Sequence, residues 1–290
     1  MSKRLAPSPT PRPASNSPRP GPRLAGEIAA SLGAPATLYP YFATLVCDCR
    51  GLGTSPQAAA KWLKGAGVNQ HSKVIDLGCG LGATARAVAR RCGADVVGVD
   101  ACPEFIAMAT ARTHQAKLKR KAPAGSCEFV CADFNRLSVI ARTQRGVELR
   151  EPFDAAILLS ILPSVQAIRL ARRWVRPGGV YLFDDAVAID GQGDGHAPTL
   201  EQINSTITRT GDTIARVEVL SPSRTAALHR ATQLRLEAGV AALKQATLPK
   251  PIARQLTTFL DLHRQSLSRL TGSVRPVYWL VKRGTITRSN

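Results

Sequence analysis

The alternation of apolar and polar positions divides the middle of the chain into short apolar runs separated by amphipathic stretches. The runs of strand length between residues 71 and 186 are KVIDLG, DVVGVDA, CEFVCADF, FDAAILLSI and GVYLFDDA. Strands separated by helical segments of about 10–15 residues are typical of βαβ units. The pattern therefore predicts an α/β fold: a doubly wound, Rossmann-like, mainly parallel sheet with helices on both faces.

The pattern changes after Ala186. A Gly-rich loop precedes a predicted helix, TLEQINSTITRTG, and a predicted strand in DTIARVEVLSP. Residues 223–271 are expected to form a helical insertion, and VRPVYWLVKRG supplies a closing strand. Two late strands after five alternating units predict a seven-stranded sheet whose last strand is inserted antiparallel.

The chain before this core divides into a tail and a helical segment. The first 23 residues contain seven prolines and no acidic or aromatic residue, so residues 1–24 are expected to form a disordered, basic, proline-rich tail. Residues 25–70 are predicted as a helical N-terminal cap, in which Ser55 and Pro56 start a helix. Residues 71–290 then form the main domain, with the insertion at about residues 223–271.

The formal net charge of +19 is concentrated at the two ends of the chain. Residues 1–23 carry five basic and no acidic residues, and residues 224–290 carry twelve and two. Such a surface attracts polyanions such as RNA or a membrane surface, although it is more often a solvated, arginine-rich face. Few aromatic residues interleave the basic ones, so platforms for stacking bases are lacking.

Cysteine usage and hydropathy suggest a cytoplasmic protein. The seven cysteines are odd in number and none lies beyond Cys131, which favours reduced thiols over a disulfide framework. No second cysteine pair stands at a zinc-like spacing, so we expect no metal site. No apolar run approaches the roughly 20 residues that span a bilayer.

The stretch VIDLGCGLG, residues 74–82, follows the first predicted strand. Gly78 and Gly80 permit positive φ and the close approach of a nucleotide. Their spacing also fits the dinucleotide pattern G-x-G-x-x-G/A, with Ala83 last. Asp76 argues against a dinucleotide, because a carboxylate beside a pyrophosphate is unfavourable. Beside the cationic amino-acid end of S-adenosylmethionine, the same carboxylate is favourable.

Two further acids end the next two strands. Asp100 closes VVGVD and can accept hydrogen bonds from both ribose hydroxyls, as it would for either ligand. Asp133 closes CAD and can accept from the exocyclic adenine amine, while Phe134 offers its backbone N–H to the ring. Acids at three successive strand ends converge on one edge of a parallel sheet. This constellation predicts an adenosyl ligand.

With these residues the sequence resembles the class I S-adenosylmethionine-dependent methyltransferases. VIDLGCGLG is similar to their glycine motif, VVGVD to their acidic strand end and CADF to their adenine-contacting loop. The resemblance covers about residues 71–186, and it implies S-adenosyl-L-methionine as the cofactor. It places Asp76, Gly78 and Gly80 at the methionine end and Ser160 near the donor. The predicted cofactor-binding residues are Asp76, Gly78, Cys79, Gly80, Asp100, Ala101, Asp133, Phe134 and Ser160.

A base is needed where an oxygen or nitrogen acceptor must lose a proton. The candidate catalytic residues are Asp184 and Asp185, at the end of the fifth strand, and His196, in the loop after it. The other interpretations are strand-end solvation or helix capping for the two acids and an exposed loop position for the histidine. Tyr39 and Tyr41 can close over the donor, but packing is their expected role.

The sequence favours a small-molecule acceptor. The segment after the fourth strand reads LSILPSV and lacks the N/D/S-P-P-Y/F turn of enzymes that methylate base amines. The resemblance to small-molecule methyltransferases implies that the helices between the last two strands cover the acceptor pocket. Arg224, Arg230, Arg235 and Arg254 there are expected to face water, with pairing to an acidic substrate as the minority interpretation. An RNA- or protein-directed methyltransferase and a noncatalytic adenosyl-binding protein remain the alternatives.

Overall fold

The fold was determined from a computed structural model of the chain. It describes residues 21–47, 49, 55–118, 125–134, 152–189, 197–245 and 248–285. Most of the predicted tail (residues 1–20) and His196 lie outside these ranges. The helix α1 (Pro22–Ser31) begins within the last residues assigned to the tail.

Seven strands form one sheet in the described part of the chain. They are β1 (Lys73–Leu77), β2 (Asp95–Asp100), β3 (Cys127–Cys131), β4 (Phe153–Leu158), β5 (Val175–Ala188), β6 (Thr213–Val219) and β7 (Val274–Lys282). Their order is β3-β2-β1-β4-β5-β7-β6. β7 is antiparallel to both β5 and β6, whereas β1 to β5 are parallel. The predicted seven-stranded, mainly parallel sheet is confirmed.

The other helices follow the predicted alternation. They are α2 (Phe42–Leu45), α3 (Pro56–Gly65), α4 (Ala83–Cys92), α5 (Pro103–Leu118), α6 (Ser164–Trp174), α7 (Leu200–Arg209), α8 (Pro222–Lys244) and α9 (Lys250–Thr271). A 3₁₀ helix, Ala36–Tyr41, links α1 to α2. The Ser55 hydroxyl accepts from the Ala58 backbone N–H at 3.3 Å, and Pro56 occupies the first turn.

Three clusters of buried side chains hold these layers together. One packs α3, α4 and α5 against one face of the sheet, and a second packs α6 and α7 against the other. The third joins α1, the 3₁₀ helix and α2 to α8 and α9. It includes Leu81 and Cys102, which follow β1 and β2. The N-terminal segment and the helical insertion therefore form a common cover over the carboxyl ends of the strands.

One strand is longer than its sequence pattern suggests. The stretch VRPGG reads as the end of a helix, but β5 already begins at Val175, which pairs with Phe153. The register then shifts, so that Ala155 pairs with Val180, and Gly178 takes a φ of 78°. This irregularity absorbs the extra residues before the regular part of β5.

Neither a membrane span nor a metal cluster is found within the described ranges. None of the helices there is long and apolar enough to cross a bilayer. Among those residues, no group of three or more His, Cys, Asp and Glu side chains is arranged to hold a metal ion.

Candidate active site

A cavity of about 320 Å³ lies at the carboxyl ends of the central strands. The sheet order reverses between β1 and β4, and open α/β sheets bind their ligands at such a switch point. All nine residues that the sequence predicted for the cofactor line this cavity: Asp76, Gly78, Cys79, Gly80, Asp100, Ala101, Asp133, Phe134 and Ser160. The fold therefore brings together residues from the ends of four strands.

Asp76 is the most unusual of these side chains. It is 3% exposed, and its Oδ2 is fully buried without a hydrogen-bond partner among the described residues. Burial raises the pKa of Asp76 to about 7, against a hydrogen bond from the Ala85 backbone N–H that lowers it. A buried acceptor oxygen left unpaired is costly, so a donor or a cation placed beside Oδ2 would stabilise this site.

Asp100 organises the glycine turn. Its Oδ2 accepts from the Gly80 backbone N–H at 2.8 Å, and its Oδ1 accepts from the Cys102 backbone N–H at 2.9 Å. Burial raises the pKa of Asp100, while these backbone hydrogen bonds oppose the shift. A third backbone hydrogen bond comes from Ala101, and because a carboxylate offers about four acceptor positions, acceptor capacity remains for a ligand hydroxyl group.

The turn itself requires glycine. Gly78 has a φ of 70° and Gly80 a φ of 51°, in the left-handed region that other residues rarely adopt. A Cβ atom on Gly78 would lie 2.4 Å from Cγ2 of Ile161. The backbone of β1 can therefore approach the β4–α6 turn only because position 78 has no side chain.

No basic side chain accompanies the acidic ones among the described residues that line the cavity. Its carboxylates are Glu27, Asp76, Asp100 and Asp133, and no Lys or Arg side chain is among the described residues that line it. Arg23 lies nearby and pairs with Glu27 at 2.8 Å. In a chain with a net charge of +19, this local excess of carboxylates favours a cationic ligand and disfavours a pyrophosphate.

Helix α1 forms a wall of the cavity that the sequence analysis did not include in the site. Leu24, Ile28 and Leu32 line it from one face of the helix, together with Glu27 and Ser31. The signal was the spacing of four residues between the three apolar positions. Tyr39 instead donates to Glu104 Oε2 at 3.3 Å, and neither Tyr39 nor Tyr41 is among the described lining residues.

A second cavity of about 510 Å³ adjoins the first. The two share Ser31, Leu32, Val46 and the turn Ser160–Leu162 as lining. Most of the remaining lining of the second cavity comes from β5, α2, α8, α9 and β7. Ligands bound in the two cavities would therefore contact the same wall.

Asp184 and Asp185 line this second cavity, and both are already hydrogen-bonded. Asp184 accepts from Ser160, and Asp185 accepts from the Ser164 hydroxyl and, at 2.8 Å, from the Ser164 backbone N–H. Asp185 therefore caps the first turn of α6, which was the alternative interpretation of this acid. The third candidate, His196, lies outside the described residues.

Two histidines that the sequence analysis did not single out also line the second cavity. His229 on α8 and His263 on α9 stack with ring centroids 4.1 Å apart. Local sequence offers no signal for the pair, because the two residues are brought together only by the packing of α8 on α9. None of Arg224, Arg230, Arg235 and Arg254 is among the described lining residues.

Comparison with known proteins finds a family-model match in the central part of the chain. Residues 74–179 match the family model described as a methyltransferase domain. The phosphoethanolamine N-methyltransferase of Plasmodium falciparum (isolate 3D7) is 25% identical over 134 residues, which are 46% of this chain and 46% of that protein. The chain therefore spans about half the length of this curated relative.

Solved structures share the fold at low sequence identity. A SAM-dependent methyltransferase from Geobacter sulfurreducens, in complex with S-adenosyl-L-homocysteine, has a TM-score of 0.64 and 15% identity, over 84% of this chain and 98% of that chain. The [4+2]-cyclase SpnF has a TM-score of 0.61 and 18% identity, over 92% of this chain and 97% of that chain. These likenesses concern the fold alone, and a fold does not determine a reaction.

The matched range contains the glycine turn, the end of β2 and the switch point of the sheet. Together with the observed strand order, the family-model match supports a class I S-adenosylmethionine-dependent methyltransferase domain in the part of the chain that contains residues 74–179.

Proposed function

We propose that this protein transfers a methyl group from S-adenosyl-L-methionine, bound in the first cavity, to a small-molecule acceptor bound in the second. The observation that carries the proposal is the buried, unpartnered Oδ2 of Asp76 in a cavity lined by four carboxylates and no described basic residue. The domain family and the names of the relatives, a phosphoethanolamine N-methyltransferase among them, support the same reaction class.

The residues of the first cavity fit this donor. Asp76 faces a site where a cation relieves the cost of its buried charge. Asp100 has remaining acceptor capacity for a ribose hydroxyl, and Asp133 with Phe134 would hold the adenine. The left-handed glycine turn allows the backbone to lie close to the ligand.

The protein's contribution to the transfer is orientation. The donor supplies a methyl group that its sulfonium makes electrophilic, and the shared turn Ser160–Leu162 would bring the acceptor's nucleophilic atom against it. Holding two reactants in line can supply several kcal/mol of the barrier reduction. We propose that a proton released by the acceptor passes to Asp184 or Asp185, the carboxylates of the second cavity.

Calorimetry with S-adenosyl-L-homocysteine tests the donor site. The variant Asp100→Ala should bind it at least tenfold more weakly, because it loses the ribose anchor and the acceptor of the Gly80 backbone N–H. The matched control is Asp95→Asn, at the opposite end of β2, which should bind like the wild type. Unchanged affinity in Asp100→Ala, or a preference for NAD, would show that the assignment is wrong.

Methyl-labelled S-adenosylmethionine and a fractionated lysate test the acceptor class. Label should enter the small-molecule fraction and remain there when the lysate is treated with ribonuclease. Label in RNA or protein would support the alternative acceptors. Donor binding without transfer to any fraction would support the noncatalytic alternative.

A further inference from the structure

The second cavity has a polar wall made by two helices. His229 lies on α8 and is 8% exposed, and His263 lies opposite it on α9. Their rings stack at an interplanar angle of 22°. The wall can offer a ligand hydrogen-bond donors or acceptors, depending on which nitrogen of each ring carries the proton. The hydrogen-bond partners of each ring determine that position.

The partners of His229 assign its proton to Nε2. This nitrogen lies 2.6 Å from the backbone carbonyl oxygen of His263 and 3.1 Å from the hydroxyl oxygen of Ser266. A carbonyl oxygen only accepts, so Nε2 must donate. In the neutral ring, Nδ1 therefore carries the lone pair, and no described group donates to it.

The partners of His263 assign its proton to Nδ1. This nitrogen lies 2.5 Å from Oε1 of Gln233, whose Nε2 donates to Glu237 Oε1 at 2.9 Å. Glu237 in turn accepts from Arg264 at 2.7 Å. The carboxylate orients the amide, and the amide oxygen requires a donor, so Nε2 of His263 is the acceptor nitrogen.

Both rings are neutral at physiological pH. Burial lowers the pKa of His229, and burial together with the neighbouring His229 lowers the pKa of His263 to about 4. The pair therefore offers a ligand one acceptor nitrogen from each helix rather than a positive charge.

The rest of the cavity lacks a partner for an anion. Asp184 and Asp185 contribute carboxylates, and no Lys or Arg is among the described lining residues. The hydroxyl of Thr225, which is 3% exposed and also lines the cavity, has no hydrogen-bond partner in the described part of the chain. Most other lining side chains are apolar, including Phe42, Leu236 and Phe259.

We infer that the second cavity binds an uncharged or cationic, mainly apolar molecule that carries at least one N–H or O–H group, which donates to the acceptor nitrogens of His229 and His263. The inference rests on the proposed function, because it takes this cavity as the acceptor site. An anionic acceptor would meet two carboxylates and no described cation, and its desolvation would go uncompensated. A donor-bearing acceptor would satisfy the two histidine nitrogens and the Thr225 hydroxyl.

Four probes of similar size test the inference by NMR titration of the protein saturated with S-adenosyl-L-homocysteine. They are phenethylamine, 2-phenylethanol, 2-phenylethyl methyl ether and 3-phenylpropanoate. The amine and the alcohol should bind about fivefold to tenfold more tightly than the ether, which lacks a donor. The carboxylate should bind the most weakly of the four.

Variants locate the contact. His229→Phe and His263→Phe keep the stacked rings but remove an acceptor nitrogen, so each should reduce the advantage of the alcohol over the ether to less than about twofold. His114→Phe is the control, because His114 is exposed on α5 and lines neither cavity. If the variants do not fold, nitrogen-15 shifts of the histidine rings in the wild type replace them. The unprotonated nitrogens should move with the alcohol and not with the ether.

The outcomes separate the two proposals. If S-adenosyl-L-homocysteine does not bind, the proposed function fails. If it binds but the carboxylate probe binds as well as the amine and the alcohol, or no probe binds, the inference about the acceptor fails while the donor site stands.

Discussion

The carboxylate of Asp184 holds Ser160 in a left-handed conformation. The Ser160 backbone N–H donates to Oδ1 at 2.6 Å, and its hydroxyl donates to Oδ2 at 3.1 Å. Ser160 has a φ of 59°, and no other non-glycine residue among those described has a positive φ. Because Ser160 lines both cavities, this bidentate contact positions the wall that they share.

At position 160, a glycine variant should therefore be more stable than an alanine variant, which is the opposite of the order in a helix. Ser160→Gly and Ser160→Ala both lose the hydroxyl, but only the glycine variant relieves the backbone strain, which costs about 1 kcal/mol. Ser160→Gly should be more stable than Ser160→Ala by about that amount. Urea unfolding measures the difference.

The matched control is Ser268, exposed in α9. There the alanine variant should be more stable than the glycine variant by about 1 kcal/mol, as in ordinary helices. The same order at position 160 would contradict the strained conformation.

Asp76 should make stability depend on pH. Its pKa is about 7 in the folded chain and near 3.8 when exposed, so the folded state binds more protons between these values. The stabilisation is complete below about pH 4 and is lost as the pH rises through about 7. In the wild type, the free energy of unfolding should therefore fall by a few kcal/mol between pH 4 and pH 8. Asp76→Asn should not show this fall. Urea unfolding across this pH range measures both proteins.

The same titration should appear in donor binding. A cationic ligand favours the charged carboxylate, so the affinity of the wild type for S-adenosylmethionine should rise between about pH 6 and pH 8. Asp76→Asn should bind the ligand more weakly and lack this rise. If the variant kept the wild-type pH profile, Asp76 would not be the group that titrates.

Gly78→Ala should damage both stability and donor binding. The positive φ costs about 1 kcal/mol, and the new methyl group would lie 2.4 Å from Ile161 Cγ2, so the β4–α6 turn must move. Gly211→Ala separates the two effects, because Gly211 has a φ of 79° and open space around its Cβ position. Only Gly78→Ala should weaken binding of S-adenosyl-L-homocysteine in calorimetry, and an equal loss in both variants would exclude the steric explanation.

Asp212 should matter for stability and not for binding. It is 4% exposed and accepts from Tyr181 at 2.7 Å, from the Gly284 backbone N–H at 2.8 Å and from Arg172. Asp212→Ala leaves these donors buried and should lower the free energy of unfolding by about 3 kcal/mol. The calorimetric affinity for S-adenosyl-L-homocysteine should be unchanged.

Asp261→Ala is the comparison for this network, because Asp261 pairs with Arg264 on the surface of α9. Its loss should cost less than about 1 kcal/mol. Similar losses in the two variants would mean that burial does not strengthen the contacts of Asp212.

Much of the fold could be predicted because its signals are local. The apolar runs of β1 to β5 and the helical spacing between them are visible within short windows, and βαβ connections leave few topologies. The residues at the sheet edge of the first cavity were predictable for the same reason, whereas those that α1 contributes were not. Asp76, Asp100 and Asp133 each stand at or next to a strand end, and parallel strands end at one edge.

The contacts of the second cavity depend on residues far apart in the chain. Ser160 and Asp184 are 24 residues apart, and His229 and the carbonyl oxygen it contacts are 34 residues apart. Neither contact can be predicted from the sequence pattern around the residues that make it. The role of Asp185 could not be predicted from the sequence either, because an acid at a strand end can cap α6 or accept a proton.

The sequence by itself determined the alternating core, the glycine turn and the acids at its edge, because hydrophobic periodicity and backbone freedom act between neighbouring residues. Only the tertiary structure decided which helices close the two cavities, which acceptor nitrogens the stacked histidines present, and why Ser160 is strained. Those features arise where α1, α8 and α9 pack over the sheet, and packing between distant segments leaves no period in the sequence.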